Sequence, residues 1–119
     1  MPDDSGGSLR VFVAEDEALV RVILAEMLAD LGHEVVAEAC KLEAAVRLAA
    51  EADYDLAILD LNLGHGLSCD AAEAVRKRGK AMVLATGYGR AGLTAGYENC
   101  VVLQKPFTRD DVARAIGLA

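Results

Sequence analysis

Four short groups of polar residues interrupt an otherwise apolar chain, each at the end of a brief apolar run. Glu15, Asp16 and Glu17 follow RVFVA, Asp60 and Asn62 follow DLAIL, Thr86 and Gly87 follow AMVLA, and Lys105 and Pro106 come just after CVVL. Two carboxylates brought to about 4 Å repel by about 4 kcal/mol at an effective dielectric of about 20. A third acid close by then calls for a raised pKa or a bound cation. An all-oxygen set of this kind suits Mg²⁺, which prefers octahedral oxygen ligands, keeps several waters and takes one or two carboxylates plus a phosphate. Thr86 could donate a hydrogen bond to one oxygen of a transferred phosphoryl group and Lys105 could neutralise another.

The elements that must position these residues follow from hydrophobic spacing. Arg10–Ala14, His33–Glu38, Asp55–Leu59, Ala81–Ala85 and Cys100–Leu103 are short, apolar and rich in β-branched residues, as buried parallel strands are. Helical runs alternate with them. Asp16–Leu31 places Val20, Leu24, Met27, Leu28 and Leu31 at helical spacing and stops at Gly32, and Leu42, Ala45, Val46 and Ala49 repeat the pattern. Cys69–Arg78 and Thr108–Leu118 supply two more helices, the last with Thr108 at the N-cap and Asp111 three residues on. The remaining helix, expected over Tyr88–Asn99, carries Gly89, Gly92 and Gly96 and is expected to be short or irregular. This βα alternation predicts an α/β fold, a doubly wound five-stranded parallel sheet with helices on both faces. In the flavodoxin-like strand order 2-1-3-4-5, the first and third strands meet at the switch point and set Asp16 opposite Asp60.

With VFVAEDE, LAILDLN, LATG and LQKPF in this order, the chain resembles the receiver domains of two-component response regulators over residues 9 to 118. The resemblance implies that Asp60 accepts a phosphoryl group from phosphohistidine of a sensor histidine kinase, or from a small acyl phosphate. It implies Asp16 as a direct ligand of Mg²⁺, Glu15 as a second acid acting through water, and the backbone carbonyl of Asn62 as a further ligand. Thr86 and Lys105 would then contact the phosphoryl group, and the Lys105–Pro106 bond would be cis. Two positions depart from the family pattern. Gly64 replaces a proline often found four residues after the acceptor, which leaves that loop looser. Val102 stands where many members carry an aromatic residue that swings on activation. The Ala85-Thr86-Gly87-Tyr88 stretch is similar to a subgroup of single-domain bacterial receivers, in which ordering of the following segment replaces that rotation.

A length of 119 residues suits one core. Residues 1–8, acidic and Gly/Ser-rich, read as a disordered lead rather than a signal peptide, and 9–119 as the receiver domain with no output domain. A cytoplasmic protein without membrane insertion is expected. The net charge of −7 disfavours direct nucleic-acid binding. It directs attention to protein partners: the kinase, then a downstream effector or a phosphotransfer protein. Cys40, Cys69 and Cys100 lack metal-ligand spacing and read as reduced, partly buried small apolar residues. Each site residue has a plainer reading as well. Asp16 alone could cap a helix, Glu17 and Glu38 read as solvated surface charges, and His33 and His65 are isolated. The competing functions are a phosphorylation-independent receiver that only binds proteins, and an aspartate-nucleophile phosphatase. The latter is disfavoured because Asn62 stands where such enzymes commonly carry a second acid. A nucleotide-binding enzyme is disfavoured by the acidic, glycine-free turn after the first strand.

Overall fold

A computed structural model of the chain describes residues 7–63, 66–67, 69–87 and 96–119. Among them run β1 (Arg10–Ala14), α1 (Ala18–Asp30), β2 (Glu34–Ala39), α2 (Leu42–Glu51), β3 (Leu56–Asp60), β4 (Asn62–Leu63), β5 (Gly66–Leu67), α3 (Cys69–Lys77), β6 (Ala81–Thr86), β7 (Val101–Gln104) and α4 (Arg109–Leu118). Five of the strands form one parallel sheet in the order β2-β1-β3-β6-β7, the expected 2-1-3-4-5 arrangement with β6 and β7 as its fourth and fifth strands.

Strand alternation divides the core in two, because successive side chains point to opposite faces. Val11, Val13, Leu56, Ile58, Val83 and Leu103 pack on one face against Leu24 and Leu28 of α1 and Val112 and Ala115 of α4. Phe12, Ala14, Ala57, Leu59 and Leu84 pack on the other against Ala45 and Ala49 of α2 and Ala71, Ala72 and Val75 of α3. Parallel strands covered on both faces must be apolar along their length, and every residue of β3 is buried.

The helix ends follow local chemistry. Gly32, at φ 88°, takes the left-handed conformation that lets the chain leave α1, and Thr108 and Asp111 form the reciprocal capping box expected for α4. The first helix, expected to begin at Asp16 with acids in its first turn, begins instead at Ala18, so that Asp16 and Glu17 precede it. After Asp60, Asn62 opposes Leu67 and Leu63 opposes Gly66 in a two-stranded antiparallel ladder, while the position of the expected looseness, Gly64, lies outside the described residues. Burial of Leu61 and Leu63 ties this hairpin to the core. Cys40 is exposed rather than partly buried, while Cys69 and Cys100 are half-buried as expected. The irregular helix expected over Tyr88–Asn99 lies largely outside the described residues, as do Gly64, His65 and Tyr88. No helix among the described residues is long and apolar enough to cross a membrane.

His33 lies just before β2, and its Nδ1 accepts the Leu9 backbone N–H at 3.0 Å, which requires an unprotonated Nδ1. Burial holds its pKa below the usual 6.5. A histidine whose folded pKa lies below its unfolded value adds stability above the unfolded pKa, and this is lost as pH falls through the folded one. An NMR titration of the His33 ring is expected to give a midpoint below 6.5.

Leu28 is completely buried and Val22, on the same helix, is 55% exposed. Leu28→Ala is expected to cost about 2–5 kcal/mol of unfolding free energy. Val22→Ala is expected to cost less than about 0.5 kcal/mol. Urea midpoints of the two variants check the contrast.

Candidate functional site

The parallel sheet delivers four strand ends to one edge. β1 runs into Glu15 and Asp16, β3 ends on Asp60, β6 ends on Thr86, and β7 is followed by Lys105. Backbone bonds continue past the strands and fix these ends: Glu15 N–H donates to Ala39 O at 2.9 Å, Leu61 N–H to Ala85 O at 2.9 Å, and Lys105 N–H to Thr86 O at 2.9 Å. The Lys105–Pro106 bond is cis.

Carboxylate oxygens of Glu15, Asp16 and Asp60 lie within 4.8 Å of one another. Glu15 and Asp60 are buried, whereas Asp16 faces solvent. The Lys105 ammonium sits between the buried pair, with Nζ 2.8 Å from Glu15 Oε1 and 3.0 Å from Asp60 Oδ2. The remaining carboxylate oxygens are also engaged: Glu17 N–H donates to Glu15 Oε2 at 3.1 Å, and Asn62 N–H donates to Asp60 Oδ1 at 3.1 Å. Thr86 is buried on the strand beside Asp60, one residue beyond Ala85, its register partner.

Burial pushes the Glu15 carboxyl up to about 7, against the opposing pull of Lys105 and the Glu17 amide. Burial also works against the Lys105 ammonium, but its hydrogen bonds to Glu15 and Asp60 outweigh this and raise its pKa. With all groups ionised, three carboxylates against one ammonium leave two negative charges, the amount one divalent cation neutralises. The donors are all hard oxygens, and exposed Asp16 leaves the cluster open to water, so the set fits Mg²⁺.

Of the residues expected from sequence, Glu15, Asp16, Asp60 and Lys105 come together directly, Thr86 adjoins them on β6, and Asn62 directs its backbone N–H at Asp60. Sequence reasoning passed over Arg21 and treated Glu38 as a solvated charge. The structure joins them: Arg21 Nη1 donates to the Glu15 carbonyl at 2.9 Å and Nε to Glu38 Oε1 at 3.1 Å. The available signal was a single arginine inside the apolar run ALVRVILA.

The family model of the response regulator receiver domain matches residues 11–117. The chain is a response regulator receiver domain. This receiver is 38% identical, over 98% of its length, to the transcriptional regulatory protein PdtaR of Mycobacterium tuberculosis, of which it covers 58%. It is 34% identical over 87% of its length to the two-component response regulator PhoP of Pseudomonas aeruginosa, covering 48% of that protein. The chain thus spans about half the length of the curated relatives it matches. Among solved structures, SdrG from Sphingomonas melonis superposes with a TM-score of 0.83 at 33% identity, covering 96% of this chain and 97% of SdrG. The PhyR receiver domain of Erythrobacter litoralis gives 0.81 at 25% identity, covering 95% of this receiver and 90% of that chain. Receivers of this family are signalling modules that work with histidine kinases and downstream effectors.

A carboxylate whose folded pKa exceeds its unfolded value makes the folded state lose stability as pH rises between the two. For Glu15 that window runs from about 4.5 to about 7, and Lys105 supplies the opposing attraction once Glu15 is ionised. Lys105→Met is therefore expected to lower the urea midpoint more at pH 8 than at pH 5. Equal losses at the two pH values would contradict this account.

Proposed function

We propose that this receiver takes a phosphoryl group onto Asp60 from a partner histidine kinase in a Mg²⁺-dependent reaction and passes the signal on by protein–protein contact. The observation that carries this reading is the Lys105 ammonium held between buried Asp60 and Glu15, with Asp16 completing an acidic cluster open to solvent. Glu15, Asp16, Asp60 and the Asn62 carbonyl would hold the cation. When bound, Mg²⁺ supplies positive charge opposite the phosphoryl oxygens.

In the transfer, a carboxylate oxygen of Asp60 attacks phosphorus in line with the donor nitrogen. The P–N bond of the phosphohistidine breaks, its electron pair returns to the departing imidazole, and an aspartyl phosphate forms. Asn62 N–H and Lys105 Nζ already bond the two Asp60 oxygens, which orients the carboxylate. Thr86 stands one position past the acceptor's register partner, where its hydroxyl could meet a phosphoryl oxygen, and Lys105 can turn from the carboxylate to the transferred group. A BeF₃-activated conformation of SdrG, 33% identical to this chain, has been solved, and fluoroberyllate has the tetrahedral shape of a phosphoryl group.

Leu19, Val22 and Ile23 stand in solvent on α1, and Val20, Ile23, Pro106 and Phe107 line an apolar groove that also includes Glu17 and Lys105. This groove borders the Asp60 end of the sheet, where a helix carrying the donor histidine has to approach.

Acetyl phosphate offered with and without Mg²⁺ tests the chemistry by intact mass. The expected outcome is a gain of one phosphoryl group only with Mg²⁺, and none in Asp60→Asn. No gain in a folded protein would instead favour a receiver that binds partners without phosphorylation.

A further inference from the structure

The turn 15–17 carries two of the three clustered acids, and the Glu17 side chain, at the N-cap of α1, makes no capping hydrogen bond. What holds the turn therefore includes contacts from outside it. Glu15 N–H is fixed on Ala39 O of β2, and Arg21, one turn into α1, reaches back so that Nη1 donates to the Glu15 carbonyl at 2.9 Å. The same guanidinium donates Nε to Glu38 Oε1 at 3.1 Å, the residue of β2 just before Ala39. The Glu15 peptide is thus tied to the edge strand from both sides. Because the guanidinium is planar and its N–H directions are rigid, it fixes both acceptors in one plane, which a flexible ammonium does not.

The Arg21–Glu38 pair is half in solvent on the glutamate side, where an ion pair contributes little to stability. A cation beside an acidic cluster also opposes a divalent ion by simple charge. Neither stability nor charge gives Arg21 a use here; geometry does. We propose that Arg21, braced by Glu38, is a positioning residue for the cation site. It sets the backbone of Glu15 and so the direction in which Asp16 leaves the strand. Ligand geometry matters because Mg²⁺ demands near-ideal octahedral oxygens, and loss of the groups that orient ligands typically costs about 10–100-fold in metal affinity.

The proposal rests on Glu15, Asp16 and Asp60 forming the Mg²⁺ site, so the unsubstituted chain is titrated first. Mg²⁺ is added while backbone amide NMR shifts around residues 15–17 and 60–62 are followed, with urea midpoints recorded in parallel. Arg21→Ala and Arg21→Lys are expected to weaken Mg²⁺ binding about tenfold each, with small changes in urea midpoint. Glu38→Gln, at an exposed strand position, is expected to weaken it in the same direction by less, and serves if Arg21→Ala fails to fold. Native affinity in Arg21→Lys, or tighter binding in Arg21→Ala, would mean that Arg21 acts only as a charge and would overturn the proposal. Absence of Mg²⁺ binding by the unsubstituted chain would remove the cation site itself, and the positioning role with it, a result distinct from failure in the variants alone.

Discussion

A single ammonium held between two buried carboxylates constrains the rest of this molecule. Strands in a sheet lie about 4.8 Å apart. Lys105, just past β7, is therefore two strands from Asp60 on β3 and three from Glu15 past β1. Its side chain has to pass over the end of β6 to reach them, which only a long unbranched residue can do. The contact is made at 2.8 and 3.0 Å, so the ends of β1, β3, β6 and β7 must be held in register to a fraction of a residue. The backbone bond from Lys105 N–H to Thr86 O and the unbroken ladders β1–β3, β3–β6 and β6–β7 supply that precision.

The apolar interior answers a second demand of the same interaction. Glu15 and Asp60 are taken out of water, and Lys105 and two backbone amides offset their desolvation. The layers on either face of the sheet are filled by apolar side chains, which leaves the polar groups to converge at the carboxyl edge. The hairpin after Asp60 contributes too: its backbone turns an N–H onto the acceptor while Leu61 and Leu63 anchor it below.

Two departures from the common receiver pattern now have a structural setting. Val102 is half-buried on the outer strand β7, directly after Val101 and opposite Leu84 in the ladder to β6, and it has no ring to rotate. For the second departure, the described residues on either side, Asn62–Leu63 and Gly66–Leu67, pair with each other.

The sequence by itself determined the alternation of strands and helices, the strand order through the flavodoxin-like pattern, and the residue types at each strand end, because hydrophobic period and turn chemistry are local properties. Boundaries moved by a residue or two, as when Asp60 proved to be the last residue of β3 rather than the first after it. What only tertiary structure decided is which acid is buried and which faces water. Adjacent Glu15 and Asp16 are equivalent in sequence, yet one is sealed against Lys105 and the other is solvated. Tertiary structure also decided that Arg21 binds the Glu15 carbonyl, and that the segment after Asp60 pairs as a hairpin. Burial and ion pairing depend on groups far apart in the chain, such as Asp60 and Lys105, 45 residues from each other, and local spacing carries no record of where folding places them.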